Sequence, residues 1–150
     1  MNIKRLRARA IIIKEGKLVS MFREREGSVF YTFPGGGAEG NETEQECVVR
    51  EVFEEFGIVI RPIKKVYTYE NKISVEQFYV CEWISGDFGT GSGEEFDKEQ
   101  KNEVYKPTLI EISDIPKLPL MPPEVAKAFY NDFIKNGIVL RNDIKVFLTD

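Results

Sequence analysis

Glu51, Glu54 and Glu55 carry the strongest chemical signal in the sequence. In a helix of ~3.6 residues per turn they stand at i, i+3 and i+4, so their carboxylates share one face. Arg50 lies four residues before Glu54. Like charges so placed repel by ~0.2–0.5 kcal/mol per pair. Near a helix C-terminus the dipole adds ~0.3–1 kcal/mol of penalty for each anion. Local stability therefore does not explain the cluster, and a bound divalent cation would. A solvated acidic face is the competing reading. The position of the acids against the dipole, and a glycine run upstream whose backbone can approach a ligand closely, weigh against it. There is no histidine, which excludes Ser-His-Asp and Cys-His catalysis and every His-dependent metal site. An acid, base or ligand must be a carboxylate, Tyr, Lys, Cys or backbone carbonyl.

The elements that hold these residues can be read in order. The spacing predicts a helix over 44–56, ~20 Å long, with Val48, Val52 and Phe56 on its apolar side. Thr43 followed by Glu46 is a capping box, which puts the N-cap at Thr43. Gly57 suits the left-handed position that ends a helix. Upstream, a hairpin is predicted from strands over 7–14 and 18–23 around Glu15-Gly16, and a third strand over 29–33 stops at Pro34 and a glycine-rich loop, Gly35-Gly36-Gly37. Downstream, strands are predicted over 61–70, 74–83 and 104–112. A long acidic, glycine-containing loop over 85–102 lies between the last two, and loops of that length are usually functional or disordered. Residues 116–123 read as irregular, 124–136 as an amphipathic helix, and 145–148 as an edge strand. This order fits helices packed on a mostly antiparallel or mixed sheet.

Composition sets the outer bounds. The chain has 150 residues, 42% hydrophobic and 31% charged, which suits one globular domain over 1–150. Its net charge is −4, so long-range attraction to nucleic acid or anionic membrane is not expected. An anionic substrate would need a cation or local Arg and Lys to bridge it. Cys47 and Cys81 form no metal-ligand pattern and read as reduced thiols of a cytoplasmic protein. No apolar run approaches membrane-spanning length, and the apolar stretch 10–13 is too short for a signal peptide.

The run from Gly36 to Ile58 resembles the signature of the Nudix hydrolases, G-x5-E-x7-R-E-U-x-E-E-x-G-U, where U is a bulky aliphatic residue. Gly36, Glu42, Arg50, Glu51, Val52, Glu54, Glu55, Gly57 and Ile58 fill every defined position. The resemblance implies an α/β fold, an α/β/α sandwich with a mixed sheet between helices. It implies hydrolysis of a nucleoside diphosphate linked to a further group, with Mg²⁺ or Mn²⁺. Carboxylate oxygens suit those hard cations. Such cations neutralise pyrophosphate oxygens and acidify a bound water.

Roles follow by position. Glu54 and Glu55 are the expected primary metal ligands, and Glu51 a ligand or general base beside them. Arg50 is expected to orient Glu54. Glu42 either reaches the metal through water or holds the loop. The carbonyl of Gly35 or Gly36 is a further candidate ligand, and the Gly36-Gly37 backbone a substrate contact. Arg23 and Arg25 are candidates for a substrate phosphate. Members of this family often recruit a carboxylate from outside the signature. Glu94, Glu95, Glu99 and Glu103 are available, and Glu103 is preferred because it enters a strand at a fixed place. Aromatic faces for a base are offered by Tyr67, Tyr69, Phe78, Tyr79, Phe88 and Tyr105, although aromatics alternating along strands are mostly core. Trp83 reads as packing.

The leading expectation is an Mg²⁺-dependent pyrophosphohydrolase of a small nucleotide, with nucleoside triphosphates, normal or modified, favoured. Ile73 stands where ADP-ribose hydrolases often carry proline. Ser74 and Val75 stand where dinucleoside polyphosphate hydrolases often carry tyrosine. A nucleotide-sugar pyrophosphatase and a non-catalytic nucleotide sensor are the alternatives, and the complete set of signature acids speaks against the sensor. The isomerase branch of the fold is rejected, since its His-held metal has no counterpart. The resemblance is compatible with a homodimer. Substrate choice is expected to lie in the loop 85–102 and the strands beside it.

Overall fold

In the computed structural model the residues described are 3–91, 103–136 and 142–150. The strands are β1 (Arg5–Ile11), β2 (Ile13–Lys14), β3 (Lys17–Arg25), β4 (Ser28–Thr32), β5 (Gly35–Gly37), β6 (Ile58–Glu70), β7 (Ser74–Gly86), β8 (Glu103–Glu111), β9 (Leu120–Met121) and β10 (Lys145–Leu148). The helices are α1 (Glu44–Phe56) and α2 (Pro123–Asn136). One sheet runs β10-β6-β7-β1-β5 and mixes parallel with antiparallel pairs. The other runs β2-β3-β4-β9, with β8 antiparallel to β3.

Period-2 alternation explains how the sheets are faced. On β1, Ala8 and Ala10 are fully buried and pack with Cys47, Val48, Val52 and Phe56 of α1. A second apolar cluster gathers Phe33, Tyr67, Phe78 and Leu120 against Val125 and Phe129 of α2. The two helices thus cover different parts of the paired sheets. The Tyr67 hydroxyl hydrogen-bonds Asp132 and ties β6 to α2.

The α1 boundaries are those the capping signals predict. The Thr43 hydroxyl accepts from Glu46 N–H at 3.0 Å, and the Glu46 carboxylate accepts from Thr43 N–H at 2.9 Å. Gly57 ends the helix at φ 76°, a left-handed conformation that costs glycine little.

Three expectations are corrected. The strand over 7–14 is two strands in different sheets. Ile11 and Ile12 are both fully buried, in different clusters, and the chain crosses between sheets there. Only β2 makes the hairpin with β3. The glycine-rich loop is strand β5, paired antiparallel with β1, so that Gly35, Gly36 and Gly37 face Arg9, Ala8 and Arg7. Propensity disfavours glycine strands, but an existing strand edge overrides it. Residues 116–123 are not irregular throughout: a 3-10 turn, Ile112–Lys117, leads into β9, which pairs with β4.

Candidate active site

One wall of the site is built by α1 against β5. A Cβ on Gly36 would lie 2.6–2.8 Å from the Glu51 carboxylate, so a side chain there would push that carboxylate aside. Glu55 is 5% exposed, and its Oε1 accepts the Gly35 N–H at 3.1 Å. Glu54 is more open, with its side chain 45% exposed. Arg50 Nη1 donates to Glu51 at 3.1 Å and to Glu54 at 3.0 Å. Its Nε donates to Glu42 at 2.6 Å, and its Nη2 to Glu42 at 3.1 Å and to the Gly37 carbonyl at 3.1 Å. These charge-assisted bonds, the one to Glu42 foremost, raise the Arg50 pKa and lower that of Glu42. The turn after β7 closes the end of the helix: Gly89 N–H donates to the Phe56 carbonyl at 2.9 Å.

The facing wall is basic. Arg5, Arg7 and Arg9 alternate along β1, and Arg23 and Arg25 end β3. All five line one cleft of ≈ 380 Å³ together with Gly35–Gly37, Glu51, Glu55 and Tyr105. The Arg23 guanidinium stacks on Tyr105 at 4.2 Å and on Phe30 at 5.1 Å, and hydrogen-bonds the Tyr105 hydroxyl. Arg9 is pinned: its Nε donates to Glu76 at 2.8 Å, and its Nη1 to the Phe33 and Gly35 carbonyls at 3.2 and 3.1 Å. Burial lowers the pKa of Arg23, and burial together with Arg9 and Arg5 lowers that of Arg7. An anion in the cleft would offset part of that desolvation.

Arg50 pairs with Glu54 and also with Glu42 and Glu51, and Glu42 in turn accepts the Glu39 N–H at 2.9 Å. The Gly35 carbonyl accepts from Arg9 Nη1 at 3.1 Å, and the Gly36 carbonyl accepts from the Cys47 thiol at 3.4 Å. Each carbonyl oxygen keeps a second lone pair. Glu103 lies opposite Arg25 in the β3–β8 register, pairs with it at 2.8 Å and accepts from Tyr105 at 3.4 Å. Glu94, Glu95 and Glu99 lie outside the described residues. Reading the sequence by motif passed over Arg5, Arg7 and Arg9. Their alternation with Leu6, Ala8 and Ala10 was the available signal, since period 2 puts all three on one strand face.

The donor chemistry fits a hard cation. Three carboxylates share a helix face, one of them buried, and the Glu51 carboxylate fills the space over Gly36. Among the described residues no three Asp, Glu or Cys side chains already converge as a preformed cage; Arg50 bridges Glu51 and Glu54 instead.

A paired-sheet fold, a complete acidic signature on α1 and an arginine-lined cleft together describe a phosphate-handling hydrolase of the α/β class. The chain belongs to the Nudix family: the model for the NUDIX domain matches residues 4–131. No curated protein sequence is similar enough to match it. Solved structures share the fold at low identity. An ADP-ribose pyrophosphatase from Streptococcus suis has a TM-score of 0.65 at 19% identity, with 98% of this chain and 100% of that chain covered. A NUDIX hydrolase from Nitrosomonas europaea has 0.69 at 15%, covering 99% and 81%. A MutT protein from Methanosarcina mazei has 0.60 at 20%, covering 91% and 96%. The protein is therefore a Nudix hydrolase, of a family that uses divalent metals and acts on small nucleotide substrates. Among the described residues no helix is long and apolar enough to cross a membrane.

Proposed function

We propose that this hydrolase cleaves a pyrophosphate bond in a nucleoside triphosphate, normal or modified. The observation that carries the reading is the convergence of Arg5, Arg7, Arg9, Arg23 and Arg25 on the cleft that faces Glu51 and Glu55. A protein of net charge −4 that concentrates five guanidinium groups in one place is suited to a strongly anionic ligand. Glu51, Glu54 and Glu55 would hold Mg²⁺ or Mn²⁺. When bound, the cation neutralises phosphate oxygens and makes water a better nucleophile. Arg23 and Arg7 bind and orient the phosphate chain. Arg50 fixes the rotamer of Glu54, and Glu42 fixes Arg50. Glu51 lines the cleft beside Gly36, and its carboxylate accepts the proton of the attacking water. Two buried free thiols suit a reducing compartment, which supports a cytoplasmic location.

The test is a panel of nucleoside triphosphates, nucleotide sugars and dinucleoside polyphosphates with Mg²⁺ or Mn²⁺, run beside Glu54→Gln and Glu55→Gln. Triphosphates are expected to turn over fastest, and both variants to lose activity. Preference for a nucleotide sugar would replace the triphosphate reading. Binding without turnover on any compound would favour a sensor, and full activity in both variants would remove the metal assignment.

A further inference from the structure

Glu55 is the buried carboxylate of the acidic wall, and the Gly35 N–H donates to it at 3.1 Å. That N–H belongs to the Pro34-Gly35 peptide. The carbonyl of the same peptide accepts the Ala10 N–H of β1 at 2.8 Å. A planar trans peptide sets its C=O and N–H on opposite sides, so β1 fixes one end while the other points at Glu55. We infer that Arg9 and Glu76, which lie outside the acidic signature, are positioning residues that hold this peptide and, through it, the Glu55 carboxylate. The inference rests on the reading of Glu55 as a metal ligand given above.

Arg9 grips the peptides on either side. Its Nη1 donates to the Phe33 carbonyl at 3.2 Å and to the Gly35 carbonyl at 3.1 Å. The Pro34-Gly35 peptide lies between these two, so it cannot rotate without disturbing one of them. Phe33, Pro34 and Gly35 are buried, and buried carbonyls need protein donors in place of water. Pro34 has a restricted φ and no N–H of its own, which removes a degree of freedom and a competing donor.

Glu76 fixes Arg9 from the other direction. Its Oε1 accepts from Arg9 Nε at 2.8 Å, and both side chains are mostly buried. In the β1–β7 register Glu76 stands beside Arg7, yet its carboxylate hydrogen-bonds Arg9. A mostly buried guanidinium without a counter-charge would turn to solvent or to an anion in the cleft. Paired with Glu76, it directs its donors to the backbone instead. Arg9 therefore differs from Arg7 and Arg23, although all three line the same cleft. The contacts run from Glu76 to Arg9, to the backbone of residues 33–35, and on to Glu55. Glu55 stands in the last turn of α1, where the helix dipole disfavours an anion. A donor held firmly against it offsets that penalty and limits where the carboxylate can point.

Mn²⁺ binding is measured without nucleotide, from the EPR signal of free Mn²⁺, on wild type, Arg9→Lys, Glu76→Gln, Glu76→Asp and Glu55→Gln. The triphosphate turned over fastest gives kcat and KM at saturating Mn²⁺ for the same proteins. Arg9→Lys keeps the charge but loses the fork that spans both carbonyls, and Glu76→Gln removes the counter-charge. Both are expected to weaken Mn²⁺ binding and to lower kcat, each by roughly 10- to 100-fold, with KM close to wild type. Glu76→Asp is expected to recover part of both losses. Arg9→Lys retains a partner for Glu76, so the test stays readable if Glu76→Gln does not fold. Raised KM with unchanged Mn²⁺ binding would make Arg9 a substrate ligand and overturn the inference. Mn²⁺ binding as in wild type in both Arg9→Lys and Glu76→Gln would overturn it too. Glu55→Gln separates the two readings. Undiminished Mn²⁺ binding in that variant removes the metal assignment itself, whereas a loss in Glu55→Gln alone removes only the role of Arg9 and Glu76. The Mn²⁺ measurement stands even where no triphosphate is turned over.

Discussion

Every carboxylate of the acidic wall comes from one run of chain, 42–55, whereas the arginines opposite come from β1 and β3, strands of different sheets. The acidic wall balances itself. Arg50 joins Glu42, Glu51 and Glu54, and Glu55 is held by the Gly35 N–H. The basic wall is balanced only in part. Glu76 pairs with Arg9 and Glu103 with Arg25, whereas Arg7 is disfavoured by burial and by its neighbours Arg9 and Arg5, and Arg23 packs on aromatic faces. The first wall thus ties its acids together through one arginine, while the second leaves Arg7 and Arg23 positioned to meet an anion. On this contrast we propose that the helix side serves the chemical step and the strand side substrate capture.

Substitutions on the two walls should therefore separate kcat from KM. The largest effect is expected for Glu51→Gln, with kcat lowered by roughly 10²–10⁴-fold and nucleotide affinity retained. Unchanged kcat with weakened affinity would move Glu51 to a purely architectural role against Gly36. Arg23→Met comes next. Loss of one charge-assisted phosphate contact, ~1.5–3 kcal/mol, should raise KM by roughly 10- to 100-fold and leave kcat nearly intact. The KM of the variant should also depend less on salt. A fall in kcat alone would put Arg23 on the catalytic side and break the contrast.

The smallest effect is on stability. Arg50 holds the Glu42 carboxyl below its ordinary value. A group whose folded pKa is depressed contributes stability above its unfolded pKa, ~4.3, and loses it as pH falls through the folded value. The stability difference between wild type and Glu42→Gln, from urea unfolding, should be level from about pH 7 to about pH 5. It should shrink as pH drops below about 4. A difference that does not change with pH would mean that packing, not charge, holds the loop.

The contrast also explains what could be read in advance. Helix α1 was legible to the residue, because Thr43, Glu46 and Gly57 are local signals acting over three or four positions. The acidic face was legible for the same reason. The glycine run was misread as a loop, because its strand character comes from pairing with β1, about thirty residues away. The split of the first strand was hidden by uniform Ile content: Ile11 and Ile12 look alike but enter different cores. Arg5, Arg7 and Arg9 were visible as an alternation, but nothing local says which sheet face borders a cleft. Substrate choice was expected in the loop 85–102. Its part over 92–102 lies outside the described residues, while β1, β3 and β9 supply the lining that can be described.

By itself the sequence determined the helix, its caps, the spacing of its acids and the family, because each depends on neighbours within a few residues or on a contiguous motif. The tertiary structure decided that five arginines line a cleft with Glu51 and Glu55, that Glu103 pairs with Arg25, and that Tyr69 and Met121 share a recess. Those facts depend on strand register and on the meeting of two sheets, which no local signal along the chain encodes.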